Sequence, residues 1–152
     1  MTSKSAIRTR GFTLVELLVA MVIASILLAI SVPSYSLFVR KSRRTEARTA
    51  LLDFASREER YMSTNNAYTN VAANLGYAAL PTTVGSGYYT MSTTAPVAAT
   101  ATAPAYFTVT ATPVAGKGQD KDAQCQSFTV DSTGKQSSLN NTGTDSTSTC
   151  WN

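Results

Sequence analysis

A long uncharged segment constrains this chain more than any other feature of its sequence. Residues 17–39 are mostly apolar and carry no charge, and Glu16 stands immediately before them. At about 1.5 Å per helical residue the segment spans roughly 35 Å, which is enough to cross a bilayer with some tilt. Ahead of it lies a short polar leader with three cations, Lys4, Arg8 and Arg10. The sequence therefore predicts a helix that lies in hydrocarbon or in a packed helix bundle, with one carboxylate near its tip.

Two ordinary interpretations of this N-terminal region stay open on hydropathy alone. A secretory signal has its cleavage site after the apolar stretch, at small residues in an A-x-A-like pattern. Ala29-Ile30-Ser31 fits that pattern poorly, and Pro33 follows closely. The part that looks removable is instead the leader before the apolar run. An uncleaved membrane anchor is the second interpretation.

The helix is predicted to continue beyond the apolar segment, from about Thr13 to Thr64. Apolar residues recur at three- and four-residue spacing on an otherwise charged stretch, which indicates a stripe that packs against another layer. This stripe consists of Ala47, Ala50, Leu51, Phe54, Ala55, Tyr61 and Met62. Pro33 lies inside the helix, where it removes one backbone hydrogen bond at a cost of roughly 3 kcal/mol. A kink or local melting is therefore expected near Pro33.

The rest of the chain is predicted to form a three- or four-stranded antiparallel sheet laid on the stripe. Charge becomes sparse after Thr64, and Thr, Ala, Ser, Gly and Asn dominate. Strand signals follow an irregular connector at 65–87, and the strands are expected at 88–93, 106–114, 126–131 and 135–139. Residues 95–105 are Ala/Thr/Pro low complexity and are expected to form an exposed loop. Asp131-Ser132-Thr133-Gly134 is a hairpin signal. The predicted fold class is α+β.

Neither a metal site nor catalysis is expected. The chain has no histidine, so Ser–His and Cys–His nucleophile pairs cannot form. Two cysteines without histidine leave an incomplete set of soft metal ligands, and no cofactor is expected. Asp120 and Asp122 flank Lys121 and are interpreted as a solvated turn rather than a weak Ca²⁺ site. Cys125 and Cys150 are the only cysteines, and a bridge between them would contribute about 3.5 kcal/mol.

The residues around the charged junction resemble the class III signal of type IV prepilins. The motif is Gly11-Phe12-Thr13-Leu14-Val15-Glu16-Leu17-Leu18-Val19, with Pro33 further on. More diffuse features resemble PilE-like pilins, namely Pro33-Ser34-Tyr35, the basic stretch at 40–44, Arg57-Glu58-Glu59-Arg60-Tyr61, Leu75-Gly76-Tyr77, a late Cys125, Phe128-Thr129-Val130-Asp131 with Gly134-Lys135, and Cys150-Trp151. The N-terminal motif is highly specific and covers about the first third of the chain.

This resemblance implies a route of maturation and assembly. A prepilin peptidase would cut between Gly11 and Phe12 and methylate the new amine of Phe12. Glu16 would become the fifth residue of the mature chain, where it would pair with the amine of a neighbouring subunit. An unpaired carboxylate in a membrane is costly and marks a functional site. Pro33 would mark the part of the helix that kinks or melts in the fibre.

The resemblance also implies an organisation into three segments. Residues 1–11 would be the removed leader, residues 12–39 the transmembrane and filament-core helix, and residues 40–152 the head with the C-terminal half of the helix. The expected fold is the type IV pilin fold, in which Cys125 and Cys150 bound a C-terminal disulfide loop.

The charges that flank the apolar segment conflict with this organisation. The leader has three cations, whereas five lie on the far side, Arg40, Lys41, Arg43, Arg44 and Arg48. Counting positive charges places the larger group in the cytoplasm, which would put the head there. The signal motif and the two cysteines favour a periplasmic head, since disulfides persist in oxidising compartments. We give the motif more weight than the charge count.

The net charge of +4 raises DNA binding as an alternative function. Removal of the leader lowers the side-chain balance to 10 cations against 9 acids, which follows from 13 and 9 in the full chain. The basic stretch at 40–48 follows the apolar segment, where anionic headgroups are the first available partner. The sequence thus favours a structural role over DNA binding.

The interpretation we adopt is a structural subunit, major or minor, of a type IV pilus used for adhesion, twitching motility or DNA uptake. The alternatives are a type II secretion pseudopilin and a DNA-binding competence pilin. Expected partners are other pilins, a prepilin peptidase, an inner-membrane assembly platform and the inner membrane itself. The subunit is expected in that membrane before assembly and in the extracellular fibre afterwards.

Overall fold

The structure, a computed structural model, describes residues 11–152. These residues fall into two compact units that divide between Phe38 and Val39. Two α-helices and five β-strands make up the regular structure, in the chain order α1 Leu14–Asn65, β1 Thr82–Val84, β2 Tyr89–Thr93, β3 Thr108–Pro113, β4 Ser127–Asp131, β5 Gln136–Leu139 and α2 Thr147–Cys150. Short 3₁₀ helices lie at Ala72–Leu75 and Gln119–Lys121. The prediction of one long helix from Thr13 to Thr64 agrees with α1 to within one residue at each end.

In the N-terminal unit, the described residues form the first part of α1. Its apolar side chains are exposed along the segment, as they must be in a helix that will be covered by lipid or by other helices. Among the described residues, α1 is the one helix long and apolar enough to cross a membrane. The backbone remains helical through Pro33, so neither a break nor melting occurs there in the single chain.

In the C-terminal unit, hereafter the head, all five strands belong to one antiparallel sheet in the order β1-β2-β3-β4-β5. Each strand pairs with its neighbour in sequence, for example Val109 opposite Val130. Val109 and Ala111 are buried while Thr108 and Thr110 are half-buried, which is the alternation of a sheet with one covered face. The α+β fold class is confirmed.

The predicted stripe of α1 supplies the helical side of the core. Ala47, Leu51 and Phe54 are fully buried. They belong to one cluster with side chains of the sheet, including Tyr89, Met91, Phe107, Val109, Phe128 and Val130. Phe54 and Phe107 pack with ring centroids 6.2 Å apart. The spacing of the stripe therefore predicts the packed face of the helix correctly.

The sequence predicts three or four strands, whereas the sheet has five. The strand that was missed is β1. Thr82–Val84 lies in the segment that the sequence assigns to an irregular connector. Three residues are too few to display a two-residue alternation, and β1 forms only by pairing with the edge of β2. The strand predicted at 106–114 is also shorter than expected. It begins at Thr108, because Tyr106 instead forms an isolated bridge with Val97.

Candidate functional site

Gly11, Phe12 and Glu16 lie together at the start of α1. The hydroxyl of Thr13 accepts a hydrogen bond from the Glu16 backbone N–H at 3.2 Å. Thr13 thus caps the helix, and Glu16 occupies the third helical position, where a carboxylate is favoured by the unpaired N–H groups and the helix dipole. Phe12 is 75% exposed, and Gly11 has open space where a side chain would begin. The leader itself, with Lys4, Arg8 and Arg10, lies outside the described residues.

The basic stretch at 40–48 was expected to lie next to anionic headgroups, but most of its cations are bound within the head. Arg40 donates to the Lys121 carbonyl at 3.2 Å. Arg43 stacks on the Tyr88 ring, 3.4 Å from its centroid. Arguments from the net charge of this stretch therefore overstate the charge that is free to attract a ligand.

Arg44 forms a buried ion pair with Asp122. Its Nε and one terminal nitrogen donate to the two carboxylate oxygens at 2.7 and 2.8 Å. The Gln119 amide donates to Asp122 at 3.2 Å and to the Tyr89 hydroxyl at 2.9 Å. Burial raises the pKa of Tyr89 to about 12, so its hydroxyl stays protonated. This network fastens α1 to the loop that contains the second 3₁₀ helix.

Asp122 therefore corrects the interpretation of Asp120 and Asp122 as a solvated turn. Asp122 is only 4% exposed. Asp120 accepts the Gly116 backbone N–H at 3.0 Å, which keeps the pKa of its carboxyl below the usual value. One of the two acids is thus a buried structural partner of α1 and the other shapes a loop.

The disulfide between Cys125 and Cys150 is present, with the two Cα atoms 5.9 Å apart. It connects Cys125, two residues before β4, to the last residue of α2. Beside it, Trp151 packs edge-on against Phe128 and donates its ring N–H to the Ser137 carbonyl at 2.9 Å. The predicted pairing is confirmed, and the C-terminal segment is tied to the sheet at two points.

A further buried acid, Glu58, was not anticipated from the sequence. Its side chain is fully buried on the packed face of α1, one oxygen accepts the Thr69 backbone N–H at 3.1 Å, and the other has no partner among the described residues. Burial raises the pKa of Glu58, against the opposing effect of the Thr69 hydrogen bond. The sequence contains a pattern that indicates this burial, because Glu58 follows Leu51 and Phe54 at helical spacing. The charge of Glu58 nevertheless suggested an exposed position.

We expect Glu58→Gln to stabilise the head at neutral pH by about 1 kcal/mol, because it removes a buried charge that lacks a second partner. The folded-state pKa lies above that of the unfolded chain, so the wild type loses stability as pH rises between these two values and is level above them. The variant should not show that loss. Denaturant unfolding from pH 4 to pH 8, followed by the fluorescence of the single Trp151, measures it. The matched control is Glu59→Gln at an exposed neighbour; an equal gain in both variants would contradict the assignment.

A capped apolar helix, a five-stranded antiparallel sheet packed on its second half and a C-terminal disulfide together define a type IV pilin. Two family models support this. The prokaryotic N-terminal methylation motif matches residues 7–32, and the model of the type IV minor pilin ComP, DNA uptake sequence receptor, matches residues 33–129. The chain belongs to this ComP family of type IV pilins.

A known relative agrees with this assignment. The type IV major pilin protein PilA of Myxococcus xanthus (strain DK1622) is 35% identical over 71 residues, which are 47% of this chain and 32% of that protein. The chain thus spans about a third of the length of that relative. The resemblance to type IV pilins is confirmed, and the chain belongs to a family of structural pilus subunits. Pilin families in general are not enzymes.

Proposed function

We propose that Glu16 is the residue through which this pilin joins a growing fibre. The observation that carries the proposal is a lone carboxylate at the head of an exposed apolar helix. In the proposed route the peptidase cuts between Gly11 and Phe12 and the new Phe12 amine is methylated. That amine keeps its positive charge, and in the fibre the amine of one subunit pairs with Glu16 of the next. The pairing removes the cost of placing either charge alone in apolar surroundings.

A purely structural role for Glu16 makes a different prediction. If Glu16 serves only to start α1 next to Thr13, its loss weakens the first helical turn and does not affect contacts between subunits. The two roles can be separated by experiment. Loss of a structural Glu16 would change the amount of subunit in the membrane, whereas loss of an assembly Glu16 would change the number of fibres alone.

We expect Glu16→Ala to reduce surface fibres by roughly tenfold or more while the membrane level of the subunit stays normal, since desolvated charge pairs contribute more than about 1.4 kcal/mol. Electron microscopy counts the fibres, immunoblotting measures the subunit, and mass spectrometry should show a mature chain that begins with methylated Phe12. The control is Thr13→Val, which removes the cap and keeps the carboxylate. Normal piliation of Glu16→Ala would refute the proposal.

We also propose that the head faces the periplasm before extraction by an inner-membrane assembly platform. Four of the five cations beyond the apolar segment contact the folded head, namely Arg40, Arg43, Arg44 and Arg48. Long domains also translocate largely regardless of charge. The disulfide favours an oxidising compartment. On this proposal residues 1–11 are the leader, residues 12–39 the membrane and filament-core segment, and residues 40–152 the head. Pro33 marks where the helix melts in the fibre.

A DNA-receptor role is the second candidate, and the observation that favours it is the match to the ComP family. The sequence alone placed this role behind a structural one. The head also presents two exposed lysines, Lys121 beside the bound Arg40 and Lys135 in the turn between β4 and β5. A receptor of this kind would use such cations for phosphate contacts and a separate set of contacts to read bases.

If the head binds DNA, the affinity of the full-length pilin in detergent for duplex DNA should fall steeply between low and physiological salt. The double variant Lys121→Gln with Lys135→Gln removes two possible phosphate contacts. The slope of the logarithm of the binding constant against the logarithm of the salt concentration should therefore become shallower by about two. Fluorescence anisotropy measures both quantities. Glu59→Gln serves as a control because it leaves every cation in place. Lack of binding at low salt would exclude the receptor role and leave the structural role intact.

A further inference from the structure

A small basic pocket opens on the head beside the C-terminal residues. Its volume is about 120 Å³, and it is lined by Lys41, Arg44, Arg48, Thr149, Cys150 and Asn152. Positions 41, 44 and 48 share one face of α1 because residues three and four apart are neighbours on a helix. Three cationic side chains therefore point to one side of the helix, and none of the pocket's lining residues within 11–152 is acidic.

The charge of this pocket is only partly satisfied within the chain. Arg44 is neutralised by Asp122. Arg48 is held in place by the main-chain oxygen of Asn152 at 3.1 Å and by the Thr45 hydroxyl at 3.0 Å. Lys41 is exposed and has no hydrogen bond or ion pair within residues 11–152. The pocket thus holds a positioned guanidinium and a free ammonium group.

The size and the donors of the pocket fit an oxyanion. A volume of about 120 Å³ corresponds to roughly four water molecules at about 30 Å³ each, which is room for one phosphate group. Arg48 and Lys41 would supply charge-assisted hydrogen bonds, and such bonds are stronger than neutral ones. Thr149 adds a hydroxyl at the rim.

The position of Lys41 in the sequence indicates where the phosphate comes from. Lys41 follows the apolar segment by two residues, so in the membrane-anchored subunit it lies at the depth of the headgroups. Anionic lipids attract cations next to a membrane helix with about 1 kcal/mol each. A free phosphate ion would use the same donors without this proximity.

We propose that this pocket binds the phosphate group of an anionic phospholipid while the pilin is anchored in the membrane. The bound lipid adds a specific polar contact to the apolar anchor. This contact must be broken when the subunit leaves the membrane for the fibre. The inference rests on the membrane-anchored form of the pilin and not on the pairing of Glu16.

The test uses the full mature pilin in nanodiscs that contain phosphatidylcholine and phosphatidylglycerol, with native mass spectrometry to count retained lipids. The wild type should retain phosphatidylglycerol in preference to phosphatidylcholine. Each of Lys41→Gln and Arg48→Gln should lower this preference about fivefold, and the double variant about 25-fold, as about 1 kcal/mol per cation requires. Arg44 is left unchanged because its loss would strand the buried Asp122.

The matched control is Arg60→Gln with Lys117→Gln, which removes the same charge at exposed positions of the head outside the pocket and should change the preference less than twofold. Unchanged Trp151 fluorescence verifies that each variant is folded. Equal lipid retention by the wild type and the Lys41/Arg48 double variant, or an equal loss in the control, would overturn the proposal. Calorimetry with inorganic phosphate in phosphatidylcholine nanodiscs separates the sources: phosphate binding without any preference for phosphatidylglycerol would overturn the lipid assignment. Because fibres are counted separately, failure of this proposal is distinguishable from failure of the Glu16 role.

Discussion

Asp122→Ala should destabilise the head by about 3–5 kcal/mol, the largest effect we expect from a single substitution. The substitution removes the two hydrogen bonds from Arg44 to the carboxylate. It leaves a buried guanidinium with the Gln124 side-chain oxygen as acceptor but without its counter-charge. It also removes one of the acceptors of the Gln119 amide. Denaturant unfolding of the full chain in detergent, followed by Trp151 fluorescence, measures the change.

The control for this prediction is Asp53→Ala, which breaks an ion pair of similar length, 2.8 Å to Arg57, at an exposed position. Surface pairs contribute about 0–1 kcal/mol, so this variant should remain close to the wild type. Arg44→Met combined with Asp122→Leu should recover most of the stability, because it removes both charges together. If Asp122→Ala and Asp53→Ala cost the same, the buried pair has no special role.

The position of this network has a consequence for assembly. Arg44 lies on α1 shortly after the apolar segment, and Asp122 lies in the loop that precedes β4. The network therefore holds the loop before β4 against the part of α1 with which the head begins. A head that has lost it should expose the apolar stripe of α1, and such subunits are expected to be degraded before they assemble.

Local patterns account for the parts of the fold that the sequence predicts well. The stripe at Ala47, Leu51 and Phe54 specifies the buried face of α1, since its spacing matches the helical period. The alternation at Phe107, Val109 and Ala111 likewise specifies the covered face of β3. The hairpin at Asp131 forms as expected, with Gly134 at a φ of +76°. Each of these features is decided by residues close together in the chain.

The missed features depend on residues that are distant in sequence. Arg44 and Asp122 are 78 positions apart, and nothing near either residue shows that the other neutralises it. For the same reason the sequence does not show that Arg40 and Arg43 in the basic stretch contact the head, since their partners lie far away in the chain. Glu58 is a different case, because its burial follows from the helical period but its charge argued against it. β1 depends on a partner strand to exist at all.

The basic stretch consequently serves two purposes that its charge count cannot separate. Arg44 and Arg43 stabilise the fold through Asp122 and the Tyr88 ring, whereas Lys41 remains available for an external anion. On the proposed periplasmic orientation of the head, a simple count of positive charges predicts the opposite orientation. The proposed orientation is compatible with the charge count because long domains translocate largely regardless of their charge.

The second large effect is expected at the disulfide. Cys125→Ala with Cys150→Ala should lower the stability of the head by about 3.5 kcal/mol, because the crosslink restricts the unfolded chain and the loop it closes is long. Alanine is the appropriate replacement, since both cysteines are buried and serine would add an unpaired hydroxyl. The measurement is again denaturant unfolding followed by Trp151, which lies next to Cys150 and reports the loss of its contact with Phe128.

A reductant provides an independent control for this prediction. Reduction of the wild type should cause a similar loss of stability, whereas the double variant should not respond to the reductant at all. In cells the variant should give fewer fibres together with less subunit in the membrane, because the unfolded head is removed; Glu16→Ala is expected to lower fibres alone. This difference separates a defect of folding from a defect of assembly. Equal stability of the wild type with and without reductant would show that the hydrogen bond from Trp151 to Ser137 and the packing of α2 are sufficient to hold the C-terminal segment.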